Sequence, residues 1–148
     1  MRLICGILHL DGAAASESPL RRMASAMTAP GLNPRMGHRL EGPLGLAIVD
    51  FGGHEAEPVA LQGWVIAADL RLDQPADRPQ AVLLDRVERH GADFPDHLHG
   101  DFAVALWRRE TQELWLGRDF IGVRPLVWTW QPGRWFAFAS LPKGLHKA

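Results

Sequence analysis

Cysteine is nearly absent from this chain, long apolar runs are missing, and neither sign of charge prevails. The lone Cys5 excludes an internal disulfide framework. The longest apolar runs, such as Gly45 to Val49 and Phe136 to Ala139, fall far short of the roughly 20 residues that cross a bilayer. The opening Met1-Arg2-Leu3-Ile4-Cys5-Gly6 has a charge but no long apolar segment ending in a small-residue cleavage site, so it does not read as a signal peptide. The 16 Lys plus Arg nearly balance 17 Asp plus Glu and are scattered, leaving no basic face to displace counterions from a polyphosphate. These absences lead us to expect a soluble, cytoplasmic protein without nucleic-acid or membrane partners. Internal repeats, low-complexity tracts and heptads are also absent. What is present is 148 residues, 47% of them hydrophobic. That suits one domain over residues 1–148, able to bury roughly 70% of its unfolded surface without a staple.

The order of apolar segments is strand, helix, several strands, helix, several strands. Leu3 to Leu10, broken at Gly6, reads as a buried strand ending at Asp11-Gly12. Ser16 to Ala29 reads as an amphipathic helix, with Ser18 as N-cap, Pro19 at its first position and Leu20, Met23, Ala24 and Met27 inward. Short strands follow at Met36 to Leu40, Leu44 to Phe51 and Trp64 to Leu70. Asp77 to His90 restarts a helix with Asp77 as N-cap and Val82, Leu83, Leu84 and Val87 inward, and Gly91 closes it. Four strands in hairpins complete the chain: Asp101 to Trp107, Glu113 to Gly117, Leu126 to Trp130 and Trp135 to Ala139. Helices covering antiparallel sheets make this α+β. A four-layer αββα sandwich of two mainly antiparallel sheets would bury both helices and the aromatic strands. Trp107, Trp115, Trp128, Trp130, Trp135, Phe136 and Phe138 are expected to fill the core and sheet faces.

Four segments carry a family likeness. His97-Leu98-His99-Gly100-Asp101-Phe102-Ala103-Val104-Ala105-Leu106-Trp107, followed by Leu116-Gly117-Arg118-Asp119-Phe120-Ile121-Gly122-Val123-Arg124-Pro125-Leu126, resembles the pattern L-x-G-x-F-A-x-A-L-(Y/W) … G-R-D-x-x-G-(V/I)-x-P-L. That pattern is found in the glutamine amidotransferase domain of asparagine synthetases and their relatives. Phe136 to Leu145 resembles the closing F-A-S-E-x-K-A-L, with Leu141 in place of the acid, and Leu46 to Asp50 looks like the family's R-L-S-I-V-D. The resemblance implies an N-terminal-nucleophile (Ntn) hydrolase-like fold. It also singles out the loop of Arg118, Asp119, Gly122, Arg124 and Pro125 as a possible seam with a synthetase domain. Within that loop Gly122 relieves a bend, Pro125 fixes φ, and Arg118 is expected to pair with Asp119.

Active members of the family carry a terminal Cys whose own α-amine activates the thiol toward glutamine. Aligning Gly6 and Ile7 with the family's opening M-C-G-I puts Arg2 at the nucleophile's position. Arg2 cannot attack an amide, and a large second side chain is expected to keep Met1 attached. The competing alignment sets Cys5-Gly6-Ile7 on C-G-I and requires removal of Met1 to Ile4, making Cys5 the nucleophile of an active glutaminase. The supporting set departs as well. Gly45 stands for the carboxylate-binding Arg, Asp69-Leu70-Arg71 for Asn-Gly-Glu, and Arg78 for an ammonium-binding Asp.

The resemblance therefore implies a degenerate, pseudo-glutaminase domain. It would be the scaffold of an ATP-dependent amide-bond-forming enzyme such as a lasso-peptide macrolactam cyclase or β-lactam synthetase. Its expected partner is an asparagine-synthetase-like ATP-binding domain or subunit, together with that partner's peptide substrate. ATP and Mg belong to the partner, since neither G-x-x-x-x-G-K-(S/T) nor S-G-G-x-D-S occurs here. No cofactor is expected in this domain. A free-standing interaction module remains a further alternative. His97 and His99 share a strand-like spacing but lack a third ligand, so no metal site is expected.

Overall fold

Apolar segments bounded by glycine turns close into two antiparallel sheets in the computed structural model, which describes residues 1–148. The chain divides into two compact units, Met1–Pro58 with Leu126–Ala148, and Val59–Pro125. The first unit holds β1 (Arg2–His9), α1 (Glu17–Ala26), β2 (Arg35–Glu41) and β3 (Leu44–Asp50). The second holds β4 (Val59–Leu61), β5 (Trp64–Leu72), α2 (Pro79–His90), a 3-10 helix (Gly91–His97), β6 (Gly100–Arg108) and β7 (Glu113–Arg118). The chain then returns to the first unit as β8 (Val127–Gln131), β9 (Trp135–Ala139) and α3 (Pro142–Leu145). The α+β layering predicted from the sequence is present.

In the first unit the sheet order is β2-β3-β1-β9-β8. One face, carrying Leu3, Cys5, Ile7, Ala47, Val49, Ala137 and Ala139, packs against Leu20, Met23, Ala24 and Met27 of the α1 region. Alternation puts Ile4, Leu46, Ile48 and Phe138 on the opposite face, and they are buried too. Burial of both faces is why β3 reads as a continuous apolar run rather than an alternating one. In the second unit the order is β4-β5-β6-β7, with Ile66, Ala68, Phe102, Val104 and Leu106 packed on Leu83, Leu84, Val87 and Phe94.

Several expectations are corrected. Ser18 is the second residue inside α1, not its cap. Ser16 holds the N-cap position, no side chain caps the end, and the Ser18 hydroxyl accepts a bond from Arg22 at 3.0 Å. The N-cap of α2 is Arg78, not Asp77, because Pro79 occupies the first helical position and disfavours helical backbone in the residue before it. The aromatic prediction divides. Trp107 and Phe138 are buried and Trp115, Trp135 and Phe136 half-buried, whereas Trp128 and Trp130 on the edge strand β8 lie in solvent.

Candidate functional site

The loop after β7 is built around one carboxylate. Asp119 is buried, and its Oδ1 accepts the Val123 N–H at 2.8 Å. Its Oδ2 accepts the N–H groups of Arg124 at 3.0 Å and Phe102 at 3.3 Å. The Asp119 N–H in turn donates to the Phe102 carbonyl at 2.9 Å, and the Gly122 N–H closes the turn on the Asp119 carbonyl at 3.0 Å. Gly122 sits at φ +77°, a left-handed conformation that other residues rarely adopt. The loop is thus tied to the start of β6. Burial pushes the Asp119 pKa up, but the N–H groups of Arg124, Val123, Phe102 and Gly122 outweigh it and hold the carboxyl below its ordinary value. The expected Arg118–Asp119 pair does not form. Backbone amides occupy the carboxylate, and Arg118 is exposed.

Beyond the turn, Arg124 Nη1 reaches Asp69 Oδ2 on β5 at 3.3 Å, with both side chains largely shielded, and the buried Arg124 Nε has no hydrogen-bond acceptor. Local sequence gives no hint of this pair, whose partners lie in distant segments. Meanwhile the tip of the loop points outward, with Phe120 and Ile121 among the most exposed apolar side chains of the chain.

Cys5 belongs to the other unit. It lies in register between Ala47 of β3 and Ala139 of β9, and is fully buried in the cluster that contains Leu20 and Met23. Burial raises its thiol pKa to about 12. At neutral pH it is a protonated, sealed sulfhydryl, chemically a small hydrophobe.

Arg2 is committed elsewhere. Its Nε donates to the buried Asp50 at 3.1 Å and its Nη2 to the Glu55 carbonyl at 2.9 Å. Asp50 also accepts the N–H groups of Gly52 at 3.0 Å and His54 at 2.7 Å. Burial pushes its pKa up, but the His54 N–H, Arg2 and the Gly52 N–H outweigh it, and the net shift is downward. A buried acid tying a turn by backbone N–H groups thus occurs once in each unit, at Asp50 and at Asp119.

The remaining positions where the resemblance seeks glutamine-binding groups are occupied differently. A Cβ at Gly45 would sit 2.7 Å from Leu20 Cδ1, so a longer side chain there would displace the helix contact. Arg71 is exposed and pairs across the sheet with Asp101 at 2.8 Å and with Asp73 at 3.7 Å. Arg78 is exposed at the start of α2. His97 stacks on His90 with ring centroids 3.5 Å apart and planes 13° apart.

A family model described as a glutamine amidotransferase domain matches residues 65–147, more than half of the chain. That span contains α2, β6, the Asp119 loop and both terminal hairpin strands. No curated protein matches the chain.

Proposed function

The chain belongs to the glutamine amidotransferase domain family, and we propose that it keeps the frame of that family without a glutaminase. On this reading it scaffolds an asparagine-synthetase-related, ATP-dependent amide-bond-forming enzyme, such as a lasso-peptide macrolactam cyclase. The observation that carries the proposal is the state of Cys5, the one thiol of the chain. It is turned into the α1 cluster, with its pKa raised to about 12, and a thiolate is what an attack on an amide needs.

Asp69 supports the same reading. The resemblance assigns its position to an Asn whose amide would donate to the oxyanion of the tetrahedral intermediate. An ionised Asp69 only accepts hydrogen bonds, and its charge is balanced by Arg124. A carboxylate there opposes the charge that develops in the transition state. Arg2, at the position of the nucleophile, serves as a strut on Asp50.

On this reading the amine that forms the amide comes from the substrate, and no glutamine-derived ammonia is required. ATP and Mg are bound by the synthetase-like partner. The rigid Asp119 loop, with Phe120 and Ile121 at its tip, would meet that partner.

Two measurements test the proposal. Ammonia release from glutamine by the intact chain should equal that of Cys5→Ala, and deletion of residues 1–148 should lower the solubility and the ligase activity of the partner. Glutamine hydrolysis that disappears in Cys5→Ser, from a species beginning at Cys5, would instead establish an active glutaminase.

A further inference from the structure

Each sheet ends in two strands with one unpaired side, giving four edges: β2, β8, β4 and β7. Unpaired N–H and C=O groups invite pairing with other chains, and proteins blunt such edges with charges, proline or extreme shortness. Three of the four are blunted. β2 carries Arg35, His38, Arg39 and Glu41, β4 is three residues long, and β7 begins at Glu113 and ends at Arg118. The fourth, β8, reads Val-Trp-Thr-Trp-Gln, with neither a charge nor a proline.

That same strand exposes its two largest side chains. Trp128 is 61% and Trp130 57% exposed, and alternation puts both on one face of the sheet. Trp128 is held by stacking on Phe136 of β9, with centroids 5.8 Å apart and planes 26° apart. The inner side of β8 is paired throughout with β9, from Val127↔Ala139 to Gln131↔Trp135.

We propose that the outer edge of β8 is a docking site for an extended segment of a partner polypeptide. The segment is uncharged over five residues, apolar at the alternate positions that meet Trp128 and Trp130, and flanked by an acid. The strand ladder selects a polypeptide, because only a backbone offers donors and acceptors at strand spacing. Arg134 selects the flanking acid. It is exposed in the β8–β9 turn, where its N–H bonds Gln131, and its side chain forms no ion pair. A second copy of this chain pairing through β8 would bring no acid to Arg134, because that strand is flanked by Arg124-Pro125-Leu126 and Pro132-Gly133-Arg134.

The test titrates the 15N-labelled full chain with a blocked peptide, Asp-Glu-Thr-Val-Thr-Phe-Thr-Glu-Asp, and with a control whose central threonine is proline. The expected result is amide shifts and slowed exchange confined to Val127–Gln131, shifts of the Trp128 and Trp130 indole N–H signals, and no response to the control. Trp130→Lys should weaken binding about tenfold, the loss of one well-placed aromatic contact. Should that variant unfold, Trp128→Lys makes the same test at an equally exposed position. The proposal is overturned by an unchanged spectrum, by shifts at β2 or β7 instead, or by equal binding of the control. Concentration-dependent broadening of β8 in the free chain would overturn it in favour of a second copy. Trp130-dependent binding to phosphatidylcholine vesicles without peptide binding would overturn it in favour of a membrane.

Discussion

Asp119 is the residue whose replacement separates a structural clamp from a loop charge. Asp119→Ala removes the acceptor from three backbone N–H groups, those of Phe102, Val123 and Arg124. A hydrogen bond to an ionised acceptor contributes about 1.5–3 kcal/mol. The Phe102 bond is long at 3.3 Å but buried, so its donor would be stranded, whereas water can reach Val123 and Arg124. Crediting the buried donor in full and the other two in part, the loss is about 3–5 kcal/mol. Asp119→Asn keeps one acceptor oxygen and turns an amide against a donor, for about 2–3 kcal/mol. Urea unfolding at neutral pH should register these losses as lower midpoints with unchanged slope. The pH dependence has a definite sign. The folded pKa of Asp119 lies below the ordinary 3.8, so the ionised carboxylate stabilises the fold fully above that value. Its contribution fades as pH falls through the lower, folded value. Asp50 behaves alike in both proteins, so the gap between wild type and Asp119→Asn isolates Asp119. That gap should be largest at neutral pH and close in strong acid. A gap under about 1 kcal/mol at neutral pH, or one that does not change with pH, would refute the clamp.

Other outcomes follow from the same geometry. Cys5 should resist Ellman's reagent at pH 8 in the native protein and react at once in denaturant; Cys5→Ser, which buries a hydroxyl in an apolar cluster, should cost about 1–3 kcal/mol by urea unfolding. Gly6→Ala should cost about 1–3 kcal/mol, because its Cβ would lie 2.6 Å from Phe138 Cζ and 2.8 Å from the Gly45 carbonyl oxygen. Arg124→Met should cost about 1–3 kcal/mol by leaving Asp69 without its arginine, and adding Asp69→Leu should recover most of that loss in a double-mutant cycle.

The elements legible in the sequence are those whose signal is local. β1, β3, β5, β6 and β9 are apolar runs ended by turns, and α1 and α2 carry helical periodicity. β4 and α3 escaped because three residues, or one turn containing glycine, hold no period to detect, and the 3-10 helix because seven residues with Pro95 among them show no 3.6-residue pattern. The site divided in the same way. The motif marks the Asp119 loop, but Asp69 is chosen as the partner of Arg124 by where β5 places it. The misplaced tryptophans have a related cause. β8 and β9 are alike locally, two short aromatic strands of one hairpin, and which of them is buried depends on which lies beside β1. The size match at Gly6 points to the reason. In register opposite Phe138, Gly6 lacks the Cβ that the ring would strike, so β9 can lay that ring across the centre of the sheet. β9 also turns the small Ala137 and Ala139 toward the α1 and α3 cluster, where a Cβ on Gly144 would already come within 3.0 Å of Ala139 Cβ. Two alanines and one missing side chain thus give β9 the inner place, and β8, with Trp128 and Trp130, is left at the edge.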